Sequence, residues 1–221
     1  MKIALIADLH ANADALAALT PDLTAADTVV CLGDLVGYYC QPNEAVEAMR
    51  ALGARCVRGN HDAWVLNDLP DDVNDAVRFG IRYAQQTLTA ENRAWLAELP
   101  LMWEGMIGGR SLLLAHGSPW HPLDDYLYAD SPRIADLGHF DTDVISVGQT
   151  HRALVRPGPP LLINPGSVGQ SRDIVAHACM ALLDTDTLAV TQIARPYNPS
   201  PTIARARAHG AGAWITKHLV S

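Results

Sequence analysis

Five short segments of the chain hold residues that bind hard divalent metals. They are Asp8-Leu9-His10, Gly33-Asp34, Gly59-Asn60-His61-Asp62, His116-Gly117 and Gly148-Gln149-Thr150-His151. A mixed set of carboxylate, amide and imidazole donors suits Mn²⁺, Fe or Zn²⁺. It lacks the thiolates of a structural zinc site and carries more nitrogen than a typical Mg²⁺ or Ca²⁺ site. Asp8 and His10 are two apart, and in an extended segment residues i and i+2 share a face. Asp34 follows a glycine, which permits a sharp turn and a close backbone approach. A carboxylate has two oxygens and can bridge two cations, so a central Asp34 can hold a metal pair together.

The chemistry requires these segments to meet, and the flanking sequence supplies the means. Each follows an apolar run that reads as a β-strand: Ile3–Ala7, Thr28–Leu32, Arg55–Val57, Leu112–Ala115 and Val144–Val147. In α/β enzymes ligands bind outside the carboxyl ends of strands. Any one of these histidines alone is ordinarily a core or surface residue. Five segments in order, each at a strand end, point instead to one metal site, and to two metals rather than one.

With these residues the chain resembles the calcineurin-like metallophosphoesterases, whose pattern is D-x-H, G-D, G-N-H-D/E, a lone H and G-H-x-H. The resemblance runs from Met1 to about Asp184. The segments Gly33–Tyr38, His116–Pro119 and Asn164–Gly169 are similar to those of the small bacterial YfcE-like branch. The resemblance implies a four-layer αββα sandwich of two mixed sheets flanked by helices. It also implies that Asp8, His10 and His151 hold a first metal, that Asp34 bridges, and that Asn60 and His116 hold a second. Mn²⁺ is the expected ion, with Fe, Zn²⁺ or Ni²⁺ as alternatives. His61 would sit beside the phosphate, stabilising charge or protonating the leaving oxygen, with Asp62 orienting it. The chain departs from the pattern at Gln149, where the family usually has histidine. A neutral amide oxygen is a weaker ligand than imidazole, so the second site is expected to be the weaker.

The implied activity is hydrolysis of a phosphoric ester, more a diester or nucleotide than a phosphoprotein, by a hydroxide shared between the metals. The segment after Asp34 lacks the Asp-Arg-Gly of the phosphoprotein phosphatases. One alternative is a dinucleoside polyphosphate hydrolase of the diadenosine tetraphosphate type. Another is a non-catalytic scaffold like the retromer subunit of this fold. Arg152, next to His151, is a candidate phosphate contact or else a surface arginine, with Arg172 on weaker grounds. Tyr38, Tyr39, Trp120, Tyr126 and Tyr128 are candidates for stacking on a base, or for loop packing. Asn164–Gly169 reads as support beneath the metals. His121, His139, His177, His209 and His218 fit no motif.

Bulk properties agree. At 221 residues and 49% hydrophobic the chain fits one large domain. Its net charge of −8 argues against a long nucleic-acid track, while bound metals would still attract a small phosphorylated substrate. No apolar run reaches the roughly 18–20 residues of a membrane span, and the N-terminus has no signal-peptide pattern. Four cysteines without a Cys-x-x-Cys pair suggest buried thiols in a reducing cytoplasm.

Strand and helix signals alternate through the first half: strand 2–7, helix 12–19 with Asn12 as cap, strand 28–32, helix 42–52, strand 54–58, then two helices over 73–98 with Thr89 capping the second. A hairpin over 101–115, a short helix at 131–138 and strands at 144–148, 161–163, 177–183 and 188–193 follow. The phosphoesterase domain is expected over 1–195. A Pro-rich linker and a helix at about 202–219 would pack on that domain or on a second copy of the chain.

Overall fold

A computed structural model describes residues 1–220. Ten strands form two five-stranded mixed sheets. The first contains β1 (Lys2–Ile6), β2 (Thr28–Cys31), β3 (Arg55–Cys56), β9 (His177–Asp184) and β10 (Val190–Pro196), in the order β10-β9-β1-β2-β3. The second contains β4 (Met102–Ile107), β5 (Arg110–Ala115), β6 (Val144–Ser146), β7 (Ala153–Arg156) and β8 (Leu161–Pro165), in the order β4-β5-β6-β8-β7. Parallel pairing joins β1 to β2, β2 to β3, β5 to β6 and β6 to β8.

The layers follow from alternation along the strands. Ile3, Leu5 and Ala7 face Leu112, Leu114, Val144 and Ile163, forming a dry core between the sheets. Ala4 and Ile6 face the helices on the other side. These are α1 (Ala13–Ala25), α2 (Pro42–Ala51), α3 (Asn60–Leu66), α4 (Asp75–Thr87) and α5 (Ala90–Glu98). The outer face of the second sheet is covered by a 3₁₀ helix, Pro132–His139, through Ile134 and Leu137.

Local signals account for most helix ends. Asn12 accepts from Ala15 N–H, Asn74 from Ala76 and Val77, and Thr89 from Asn92. Three elements differ from the sequence expectation. First, α1 runs on through Pro21 to Ala25, because Leu19 and Leu23 are both buried and hold the last turns against the sheet. Second, Gly59-Asn60-His61-Asp62 begins a helix; the Asp62 carboxylate, three residues after the cap, accepts from Gly59 N–H at 3.0 Å. Third, β7 was not expected, since this four-residue edge strand is mostly exposed and shows no apolar alternation.

The C-terminal segment also differs. It forms α6 (Ser200–Ala208) and a separate 3₁₀ turn, Ala213–Thr216, with Gly210 at φ 91° between them. Ile203, Ile215 and Leu219 are buried against Ala11, Tyr39 and Cys40 of the same chain. All four cysteines are free and buried. Among the described residues no helix is long and apolar enough to cross a membrane.

One helix–loop contact leaves no slack. A β-carbon at Gly80, inside α4, would lie 2.0 Å from Tyr38 N. Alanine has a helix propensity about 1 kcal/mol better than glycine, whereas overpacking costs about 1–3 kcal/mol. Gly80→Ala is therefore expected to lower the melting temperature despite the helical gain. An unchanged or raised value in a thermal scan would show that α4 does not press on this loop.

Candidate metal centre

The five segments leave the carboxyl ends of β1, β2, β3, β5 and β6. Three of these strands belong to one sheet and two to the other, so the segments converge where both sheets end on the same side. The convergence is made by left-handed backbone rather than by pleat. Asp8 (φ 55°), His10 (φ 51°), Asp34 (φ 54°), Gln149 (φ 66°) and His151 (φ 58°) all occupy that region. The extended geometry expected for Asp8 and His10 is thus corrected: β1 ends at Ile6, and a left-handed turn brings the two side chains together.

Backbone packing then seats the turns. A β-carbon at Gly59 would lie 2.1 Å from Asp34 Oδ1, and one at Gly169 would lie 2.0 Å from Leu9 O. Ser167 Oγ and Gly169 N–H both donate to Asp8 O, at 2.8 and 2.9 Å. The Asn164–Gly169 segment therefore braces the Asp8–His10 turn from below.

Eight predicted residues come together: Asp8, His10, Asp34, Asn60, His61, His116, Gln149 and His151, all buried. His10 Nε2 lies 2.9 Å from His151 Nε2, and His151 Nε2 lies 3.6 Å from Asp8 Oδ1. Asp34 Oδ2 is 3.7 Å from His10 Nε2 and 3.4 Å from His116 Nε2. His116 Nε2 is also 3.1 Å from Asn60 Oδ1 and 2.6 Å from Gln149 Oε1. Asp34 thus stands between two groups, but through one oxygen. Its Oδ1 accepts from His61 N–H at 2.9 Å, which fixes the carboxylate's orientation.

Hydrogen bonding fixes which atoms are free. His10, His116 and His151 point Nδ1 at the carbonyls of Val36 (3.2 Å), Leu32 (2.7 Å) and Gln170 (2.9 Å). A carbonyl only accepts, so each Nδ1 carries a proton and each Nε2 faces inward, as a lone pair at His10 and His151. Two such lone pairs then meet between His10 and His151. Both Asp8 oxygens are buried with no hydrogen-bond donor. Lone pairs converging without a proton between them fit a cation.

The electrostatics agree. Burial pushes the Asp8 carboxyl up to about 8, against His116, which lowers it. Burial also acts to raise Asp34, but His116 and His61 outweigh it and hold this carboxyl below the usual carboxylate range. Burial lowers His10 and His151 well below the ordinary imidazole value, each disfavoured further by a neighbouring histidine. His116 is the exception. Burial acts to lower it, yet Asp34 raises it to about 10. Without a cation, a proton is what holds its Nε2 among three oxygens.

His61 is held differently. Its ring lies between Tyr38 (centroids 4.9 Å apart) and Trp64 (5.1 Å), with Nε2 3.9 Å from Asp34 Oδ2. Its Nδ1 is buried without a partner. Asp62, expected to orient it, does not touch either ring nitrogen. Asp62 instead accepts from Leu35 and Val36 N–H, at 2.9 and 3.2 Å, and from Gly59, so it ties the loop after Asp34 to the start of α3.

Arg152 is not brought to the site. It is exposed and pairs with Asp173 at 3.3 Å. Arg172 lines the cleft instead, with Tyr38, Trp64, Asn74 and Tyr126. Adjacency to His151 in sequence is not adjacency in space: Arg152 sits in the exposed bend before β7, where Asp173 holds it. Of the other aromatics, Tyr39 is buried in the C-terminal core and Trp120 packs on Phe140, leaving Tyr126 at the cleft wall.

The fold agrees with that of known proteins. A model of the calcineurin-like phosphoesterase superfamily domain matches residues 1–188. An uncharacterized protein, MJ0912 from Methanocaldococcus jannaschii, is 35% identical over 202 residues, which is 82% of each chain. The crystal structure of a metallophosphoesterase from Sphaerobacter thermophilus is 34% identical, covers 99% of this chain and 98% of its own, and superposes with a TM-score of 0.83. The hypothetical protein PH1004 from Pyrococcus horikoshii shares the fold at 22% identity and a TM-score of 0.89, over 99% of this chain and 97% of its own. The chain belongs to the calcineurin-like phosphoesterase superfamily.

Gln149 generates a prediction. Its amide oxygen sits 2.6 Å from His116 Nε2 and offers a weaker donor than imidazole would. One Mn²⁺ should bind tightly and a second more weakly, and Gln149→His should tighten the second. Calorimetric titration of both proteins checks this. Two equally tight sites in the unmodified chain, with no gain on substitution, would refute it.

Proposed function

We propose that this superfamily member is a divalent-metal-dependent phosphoesterase, acting on a diester or anhydride of a small phosphorylated or nucleotide substrate. The observation that carries the reading is the set of inward lone pairs on Asp8, Asp34, His10 and His151, which have no hydrogen-bond donor to satisfy them all. Asp8, His10 and His151 would hold one ion and Asn60, His116 and Gln149 the other, with Asp34 Oδ2 between. Mn²⁺ suits this set best, and Fe, Zn²⁺ or Ni²⁺ are compatible with it. Such ions supply neutralisation of phosphate charge and a water of lowered pKa.

The chain's own residues do the rest. The Nδ1–carbonyl bonds of the three histidines keep their rings from turning, so the donor set needs no rearrangement on binding. His61 is the proton donor to the leaving oxygen. It lies at the cleft, is not fixed by a hydrogen bond at Nδ1, and is clamped by Tyr38 and Trp64. Arg172 replaces Arg152 as the phosphate contact, because its guanidinium lines the cleft without an ion-pair partner among the described residues. An intact His61 and a ligand set altered only at Gln149 favour turnover over a scaffold role. Four buried free thiols are consistent with a reducing compartment.

Two substitutions test these assignments on a chromogenic diester, in Mn²⁺ after chelation. Asp34→Asn should abolish nearly all turnover while the circular dichroism spectrum stays native; near-normal rates would sink the two-metal reading. His61→Asn should cut turnover by about 10²–10⁴-fold, the usual range for a general acid, with metal content unchanged. The loss should shrink as the leaving group improves. Loss of a metal ion in this variant would instead move His61 into the ligand set.

A further inference from the structure

A second cavity of about 550 Å³ opens beside the metal cleft. Tyr38, Asn74 and Arg172 line both, so the two are contiguous. The volume falls in the range, about 300–1,000 Å³, that holds nucleotide-sized ligands. Its far wall is the C-terminal segment, which contributes Trp214, Lys217 and His218. Nothing in the metal centre uses these residues. Ile215 and Leu219, buried against Tyr39 and Cys40, anchor the segment, and Lys217 and His218 between them border the cavity.

Three properties of the lining identify the ligand. The first is charge. Arg172 and Lys217 face one carboxylate, Asp75, and neither cation has an ion-pair partner among the described residues. Arg172 Nε is moreover buried with no hydrogen-bond acceptor. The second is an aromatic surface. Trp214 is half-buried, packs one side on Phe79 at 5.4 Å between centroids, and borders the cavity. The third is amide chemistry from Gln170 and Asn74, suited to the donor and acceptor edge of a heterocycle. Paired cations, a flat aromatic wall and amides match a phosphorylated nucleoside better than a sugar phosphate or a peptide.

We propose that this compartment binds the part of the substrate beyond the scissile phosphate, and that this part is a nucleoside phosphate. Its phosphate lies against Arg172 and Lys217 and its base against Trp214. The substrate class is then a nucleotide ester or anhydride. The inference rests on the phosphoesterase reading, but it is testable without turnover.

The test is calorimetry on the full chain in excess chelator, so that no metal can hold phosphate, with AMP, ribose 5-phosphate and inorganic phosphate as probes. AMP should bind saturably and at least tenfold more tightly than the other two. Lys217→Glu, at an exposed position, should weaken AMP at least tenfold. Trp214→Ala should erase the preference for AMP over ribose 5-phosphate; should it unfold the C-terminal segment, Trp214→Phe, which keeps a ring, serves in its place and should retain part of the preference. Absence of saturable AMP binding would overturn the proposal, as would AMP binding indifferent to Lys217→Glu. Equal binding of all three probes would overturn the nucleoside assignment. Each of these failures leaves the diester assay in Mn²⁺ free to succeed, so the two readings fall separately.

Discussion

A carboxylate buried without a hydrogen-bond donor is among the costliest arrangements a fold can hold, and Asp8 is in that state. The rest of the site follows from it. Asp8 and Asp34 lie in a region that burial has stripped of water, surrounded by four imidazoles, an amide of Asn60 and an amide of Gln149. Three imidazoles have already committed their protons to backbone carbonyls. What remains is an excess of lone pairs over protons, which positive charge alone can balance. Metal affinity and proton affinity are therefore linked here, and His116, among Asp34, Asn60 and Gln149, is where a proton and a cation compete most directly.

Holding those groups together costs backbone strain as well as desolvation. Asp8, His10, Asp34, Tyr38, Gln149 and His151 all adopt left-handed φ without being glycine. Such strain persists only where neighbours over-determine the conformation, and here they do. Ser167 and Gly169 hold the Asp8 carbonyl, and Asp62 holds Leu35 and Val36. Gly59 and Gly80 admit backbone and side chain at distances no β-carbon would allow. Asp62 thus matters through the shape of the Asp34 loop, a role distinct from orienting an acid.

The parts legible in sequence were those governed by residue type and strand order. Asp8, His10, Asp34, Asn60, His116 and His151 follow apolar runs, and apolar runs of that length make strands that end together. Less legible were features set by contacts distant in sequence. Arg172 reaches the cleft because its backbone N–H meets the His151 carbonyl, twenty-one residues away by numbering. Arg152, which sequence adjacency favoured, is exposed and held by Asp173, another partner distant in sequence. The helix at Asn60 was readable in principle, since Gly59 and Asp62 stand three apart in capping register.

Charge ties the site to the rest of the molecule. The chain carries a net −8, and two carboxylates facing two divalent cations would leave a local excess of about two positive charges. An anionic substrate would then be drawn to one place on a surface that otherwise repels it. Replacing histidine by glutamine at position 149 leaves this charge count untouched, because both are neutral ligands. It changes only donor strength. The departure from the family pattern would therefore bear on how firmly a second ion is held, while any attraction for phosphate would depend on whether that ion is present at all. Occupancy of the second position, set by an amide against an imidazole, becomes the variable through which metal availability would govern the site.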